Sequence, residues 1–132
     1  FFDTGVKRAL ADELQMNLLP KTFEYGRAFE HFWVVEIARM NAYRQKDYRF
    51  SYFATNDIEI DLVMERAGQP LRFVEIKSAE RVKDAMLRPM ASLLKDVKGG
   101  KGLVVCREPR KRKIGDILIC PWQDALQELD LA

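Results

Sequence analysis

Glu75-Ile76-Lys77 places a carboxylate and an ammonium two residues apart, and Asp61 precedes Glu75 by 14 positions. On an extended strand, alternation puts Phe73, Glu75 and Lys77 on one face and Val74 and Ile76 on the other. Asp61 falls in the middle of the preceding apolar run. Two carboxylates a few ångströms apart in a partly dehydrated cleft repel strongly unless a proton or a cation sits between them. A hard, oxygen-seeking ion such as Mg²⁺ or Mn²⁺ satisfies both. Beside such an ion the Lys77 ammonium holds a water and favours its deprotonated form, as phosphodiester hydrolysis requires. A bare Glu-x-Lys also describes a solvated strand face with an ion pair worth about a few tenths of a kcal/mol. What separates the two readings is the company of Asp61 and of an acid on the helix upstream. Glu30 lies by that helix's packing stripe, with Trp33, Val34 and Ile37 at i+3, i+4 and i+7, and is the choice for the third acid. Glu36, on the other flank beside Phe29, Phe32 and Met40, is the alternative.

The elements that must position these groups are legible as patterns. Residues 12–19 form a short helical stretch that Pro20 ends. Thr22 then caps a long helix, with Glu24 in its first turn to oppose the dipole, running to about Tyr43. Its stripe is Phe29, Trp33, Ile37 and Met40, and the aromatics Phe29, Phe32, Trp33, Phe50 and Phe73 are expected in the core. Residues 49–55 alternate Phe50, Tyr52 and Ala54 against Arg49, Ser51 and Phe53. After the Asn56-Asp57 turn, Ile58, Ile60, Leu62 and Met64 point one way, and Glu59, Asp61 and Val63 the other. Ala67-Gly68-Gln69-Pro70 turns the chain into a third strand at residues 71–77, which makes an antiparallel meander. Residues 82–97 carry helical spacing; Pro89 either kinks that helix or, the preferred choice, occupies the first turn of the main helix, and Gly99-Gly100 closes it. Residues 102–106 and 117–120 are further strands, and Pro121-Trp122 opens a short terminal helix.

Composition bounds the rest. A chain of 132 residues, 48% hydrophobic and 32% charged, is expected to form one domain. Its net charge of +2 is too small to argue for a nucleic-acid partner by itself. Cys106 and Cys120 end apolar runs, outside any Cys-x-x-Cys or Cys/His pattern, and read as small buried hydrophobes in a reducing cytoplasm. No apolar run is long enough to span a membrane. The chain opens on Phe1-Phe2-Asp3-Thr4-Gly5 without an initiator Met, as expected of a piece of a longer protein.

Helix, three strands, helix and strand, with Glu30, Asp61 and Glu75-Ile76-Lys77 in that order, resemble the PD-(D/E)XK nuclease superfamily, and within it the branch of Holliday-junction resolvases and archaeal nucleases. The resemblance implies an α/β, restriction-endonuclease-like αβββαβ core at residues 22–106. Its central mixed sheet, mostly antiparallel, is flanked by helices, with an extension at 1–21 and an appended strand and helix at 107–132. It also implies that Asp61, Glu75 and the Ile76 backbone carbonyl, joined by Glu30, ligate Mg²⁺ or Mn²⁺, and that Lys77 positions the attacking water. Ile60 stands where the family name has proline, and residues 82–97 hold neither the Gln nor the Tyr that some members carry there.

A closer resemblance spans nearly the whole chain. Phe2-Asp3-Thr4-Gly5, Gly26-Arg27-Ala28-Phe29-Glu30, Glu59-Ile60-Asp61-Leu62-Val63 and Phe73-Val74-Glu75-Ile76-Lys77-Ser78 are similar to a C-terminal domain of unknown function on prokaryotic AAA-type ATPases. That implies an N-terminal ATPase module as partner. These residues hold no phosphate-binding loop of their own. A basic run, Arg107, Arg110, Lys111, Arg112 and Lys113, lies between the last two predicted strands and is the candidate contact for nucleic-acid phosphates, weighed against a solvated loop tip.

Overall fold

The structure, a computed structural model, describes residue 19 and residues 21–132. The opening segment at 1–5 and, Leu19 aside, the helix predicted at 12–19 lie outside the described residues. Helix α1 spans Phe23–Tyr43. Thr22 caps it as expected: its hydroxyl accepts from the Tyr25 N–H at 3.3 Å and donates to the Leu19 carbonyl at 2.6 Å. Trp33 and Ile37 are buried on the predicted stripe, with Phe29, Val34 and Met40 packed around them. Phe32, expected inside, is half exposed and lays its ring edge against Trp33 at 5.4 Å. At the helix end Asn41 bonds both the N–H and the carbonyl of Tyr48, each at 3.0 Å, and so ties α1 to the first strand.

Strands β1 (Arg49–Ala54), β2 (Glu59–Glu65) and β3 (Arg72–Ile76) form the predicted antiparallel meander. Strand β4 (Lys101–Cys106) pairs parallel to β3, and β6 (Ile117–Pro121) parallel to β4. A strand that the sequence did not announce, β5 (Arg112–Ile114), lies inside the basic run and closes the far edge antiparallel to β6. The sheet is therefore mixed, in the order β1-β2-β3-β4-β6-β5. Helix α2 (Asp84–Asp96) covers one face through Leu87 and Met90, packed with Ile60, Val63, Phe73, Val104 and Ile119. The other face packs Leu62, Met64, Val74, Ile76 and Val105 under α1 and the C-terminal helix α3 (Ala125–Glu128), which a 3₁₀ turn (Trp122–Asp124) introduces. The fold is α/β, as expected. Among the described residues no helix is long and apolar enough to cross a membrane.

Two expectations are corrected. Pro89 is the sixth residue of α2, not part of its first turn; Ala85, whose carbonyl Pro89 cannot bond, is exposed, so water can take that place. The strict alternation of β2 also fails. Between the pairs Ser51↔Val63 and Phe53↔Ile60 the register shifts by one, so Asp61 and Leu62 together face the single residue Tyr52. This β-bulge on β2 sends Ile60 and Val63 toward α2 while Leu62 and Met64 go toward α1. Both cysteines are buried and free, and burial pushes the Cys120 thiol up to about 12.

Gly102 lets α2 approach β4. A Cβ there would meet the Met90 sulfur at 2.5 Å, with Ile117 and Leu94 carbons at 3.1 and 3.2 Å. Met90 is 1% exposed and has little room to retreat. Gly102→Ala is expected to destabilise the fold by about 1–3 kcal/mol, read as a Tm lowered by roughly 4–10 °C. An unchanged Tm would show that this layer is loosely packed.

Candidate functional site

The β2–β3 ladder pairs Met64↔Arg72, Val63↔Phe73 and Leu62↔Val74, and ends there, where the bulge begins. The next residues along, Asp61 and Glu75, are joined through their side chains. The Ile76 N–H donates to Asp61 Oδ2 at 2.8 Å, and the Asp61 N–H donates to Glu75 Oε1 at 3.1 Å. Each carboxylate thus takes a backbone donor that a regular ladder would have given to a carbonyl, and the two strands part around them like a fork. Glu75 is buried at 7% exposure, one of two buried charged residues among the described residues. Its Oε2 accepts an ion pair from Lys77 Nζ at 3.1 Å.

The electrostatics follow from this crowding. Burial raises the Asp61 carboxyl, with Glu59 adding to the rise and the Ile76 N–H and Lys77 opposing it. Burial also raises Glu75, and the Asp61 charge is the next cause. Burial alone would lower Lys77, but the summed attraction of Glu75, Asp61 and Glu30 holds the ammonium above its ordinary value. Lys77 is therefore a cation at neutral pH and cannot itself accept a proton.

Glu30 is exposed as a residue, yet its carboxyl is raised, first by partial enclosure and then by Asp61. Of the two candidate helix acids it is the one that feels the fork. Glu36 instead bridges to Arg39 at 3.3 Å along α1. Among the described residues, however, no three His, Cys, Asp or Glu side chains gather closely enough to hold an ion by themselves. The structure brings Asp61, Glu75 and Lys77 into direct contact and leaves Glu30 at the rim.

Sequence reasoning missed two members of this cleft. Tyr52 on β1 has its hydroxyl raised above the ordinary value, and the Glu59 carboxylate is the largest cause. Glu59 in turn raises Asp61 and Glu30. The alternation of β2 already placed Glu59 with Asp61. Nothing in sequence showed that the bulge would set Tyr52 opposite them.

The basic run is largely committed within the molecule. Arg107 pairs with Glu80 at 3.3 Å and lies over the Tyr25 ring at 5.2 Å. Lys111 pairs with Glu128 at 2.8 Å. Arg112 donates to both oxygens of buried Glu108, at 3.2 and 3.1 Å, and to the Val82 carbonyl at 2.6 Å. Arg110 and Lys113 are exposed. The run weighed in sequence as a phosphate contact or a solvated loop tip thus leads into a short strand, and three of its cations, Arg107, Lys111 and Arg112, pair with carboxylates of the chain.

Over residues 25–125 the sequence matches the family described as a domain of unknown function, DUF4143. No curated protein and no solved structure matches the chain.

Proposed function

This chain belongs to the DUF4143 family, and from that premise we propose that its acidic fork is the centre of a divalent-cation-dependent, nuclease-like domain acting on nucleic acid. The observation that carries the reading is the end of the β2–β3 ladder at Leu62 and Val74, with Asp61 and Glu75 oriented by backbone N–H groups and Lys77 beside them. A solvated strand face does not bury a glutamate to 7% exposure next to a second partly buried carboxylate.

The donor set fits a hard cation in kind: carboxylate oxygens and no nearby thiol or imidazole in the fork. In number it offers Asp61 and Glu75, with the Ile76 carbonyl between Glu75 and Lys77. Mg²⁺ characteristically uses one or two carboxylates together with water and substrate phosphate, so the missing three-acid cage is compatible with it. Such an ion, when bound, supplies charge stabilisation at the phosphoryl oxygens and lowers the pKa of water. The chain's own residues do the rest. Asp61 is held in one rotamer by the Ile76 N–H, and Glu75 is held by the Asp61 N–H. The Lys77 ammonium sits where it can orient a water and stabilise negative charge building on the phosphate. Glu30 at the rim keeps the cleft negative, which draws cations in. The order of elements supports a PD-(D/E)XK affiliation, and the segments from Phe2 to Gly5 and from Gly26 to Glu30 support a place C-terminal to an AAA-type ATPase module.

The test is incubation of the protein with labelled single- and double-stranded DNA and RNA in Mg²⁺ or Mn²⁺. Cleavage is expected, and Lys77→Ala is expected to lower its rate by about a hundredfold or more with an unchanged circular dichroism spectrum. A second reading, a non-catalytic module that binds nucleic acid or protein and regulates the ATPase, is favoured by one observation: Glu75 Oε2 is already neutralised by Lys77. Absence of cleavage with either metal on every substrate would decide for it.

A further inference from the structure

Tyr52 is 61% exposed on edge strand β1, and its place follows from the sheet. Phe50 pairs with Met64 and Ala54 with Glu59, so Phe50, Tyr52 and Ala54 share the face that α1 covers. Phe50 is tucked against the core beneath α1. Tyr52, one step further along the same face, stands clear and faces the Asp61–Leu62 bulge. Glu59, which pairs with Ala54 two residues along the same face, is the neighbour that most perturbs the Tyr52 hydroxyl. Tyr52 thus stands across the bulge from Asp61, whose backbone N–H holds Glu75, and Glu75 in turn holds Lys77.

Resting on the reading that nucleic acid occupies this cleft, we propose that the Tyr52 ring is a stacking platform for an unpaired base next to the phosphate at the Asp61–Glu75 fork, which makes single-stranded or locally unpaired nucleic acid the substrate class. Stacking on an aromatic side chain needs a free base face, and within a duplex both faces of each base are covered by its neighbours. The charges around the ring point the same way. Glu59, Asp61 and Glu30 flank it, so a phosphate placed over the ring is repelled while an uncharged base is not.

The test is fluorescence anisotropy of a labelled oligothymidylate, alone and annealed to its complement, with Ca²⁺ present, for wild type, Tyr52→Phe and Tyr52→Ala. Wild type is expected to bind the single strand more tightly. Tyr52→Ala is expected to weaken that binding by about tenfold or more while leaving the duplex unchanged, and Tyr52→Phe to stay near wild type. The platform is overturned by a wild type that lacks preference for the single strand, by Tyr52→Ala binding like wild type, by equal losses on both ligands, or by Tyr52→Phe binding as weakly as Tyr52→Ala. The cation centre is judged separately, by the thermal shift with Mn²⁺, which Tyr52→Ala leaves intact. A normal shift with no Tyr52 effect sinks the platform alone, whereas no shift in wild type sinks the centre.

Discussion

Asp61→Asn is expected to raise the Tm of the metal-free protein at neutral pH and to abolish its response to Mn²⁺. The substitution keeps the shape, because an amide oxygen can still accept from the Ile76 N–H. What it removes is charge. Asp61 is itself raised by burial, and it is also a cause of the raised pKa values of Glu75 and Glu30. Groups of this kind bind more protons in the native state than in the unfolded one, so native stability falls as pH climbs from the ordinary carboxylate range through the raised values. Above the raised values the whole penalty is present. Neutralising Asp61 relieves it at three positions, and the decline of Tm as pH rises out of the ordinary carboxylate range should flatten. A site kept at the expense of stability is common where function needs uncompensated charge. In wild type, Mn²⁺ at about a hundred times its Kd is expected to stabilise by about 2.7 kcal/mol, roughly 10 °C in Tm for a chain of this size. Differential scanning fluorimetry reads all three effects. A wild type indifferent to millimolar Mn²⁺, or an Asp61→Asn variant that melts lower than wild type, contradicts the cation centre.

The second large effect is structural and lies in the basic run. Arg112→Met is expected to destabilise the fold by about 3–5 kcal/mol, because removing one partner leaves a buried charge uncompensated. Glu108 is 4% exposed, and Arg112 grips both its oxygens. The other cation within reach is Arg81, at 3.8 Å and mostly exposed, which is poorly placed to substitute. The Val82 carbonyl loses its donor as well, and with it the clasp between the loop after β3 and strand β5. The expected fall in Tm is roughly 10–18 °C. The double variant Arg112→Met, Glu108→Leu should recover much of the loss, since a buried ion pair and a well-packed apolar pair are often close in energy. If Arg112→Met melted like wild type while losing affinity for oligonucleotides, Arg112 would belong to an interface rather than to the clasp.

Much of the positioning frame was legible because it rests on local rules. Thr22, the stripe through Trp33 and Ile37, the turns at Asn56-Asp57 and Gly68, and the apolar run at residues 102–106 each state their element with little help from the rest of the chain. The spacing of Asp61 from Glu75-Ile76-Lys77 belongs to the same class. Two short antiparallel strands joined by a tight turn must bring residues so placed nearly opposite one another.

What the sequence could not supply depends on partners distant in the chain. The bulge at Asp61–Leu62 is a property of the pairing of β2 with β1, and it decides that Ile60 and Leu62 part to opposite faces and that Tyr52 stands opposite Asp61. The parallel pairing of β4 with β3 and β6 depends on where α2 returns the chain. The basic run reads in sequence as a phosphate contact or a solvated loop tip, and only the fold pairs Arg107 with Glu80 and Lys111 with Glu128 while turning Arg112 back on Glu108 within the run itself. The sequence by itself determined which residue types stand on which strands, because side-chain alternation is a property of the backbone. Only the tertiary structure decided their electrostatics: the end of the β2–β3 ladder buried Asp61 and Glu75 side by side, so that the Asp61 charge raises Glu75, with Lys77 between them and solvent.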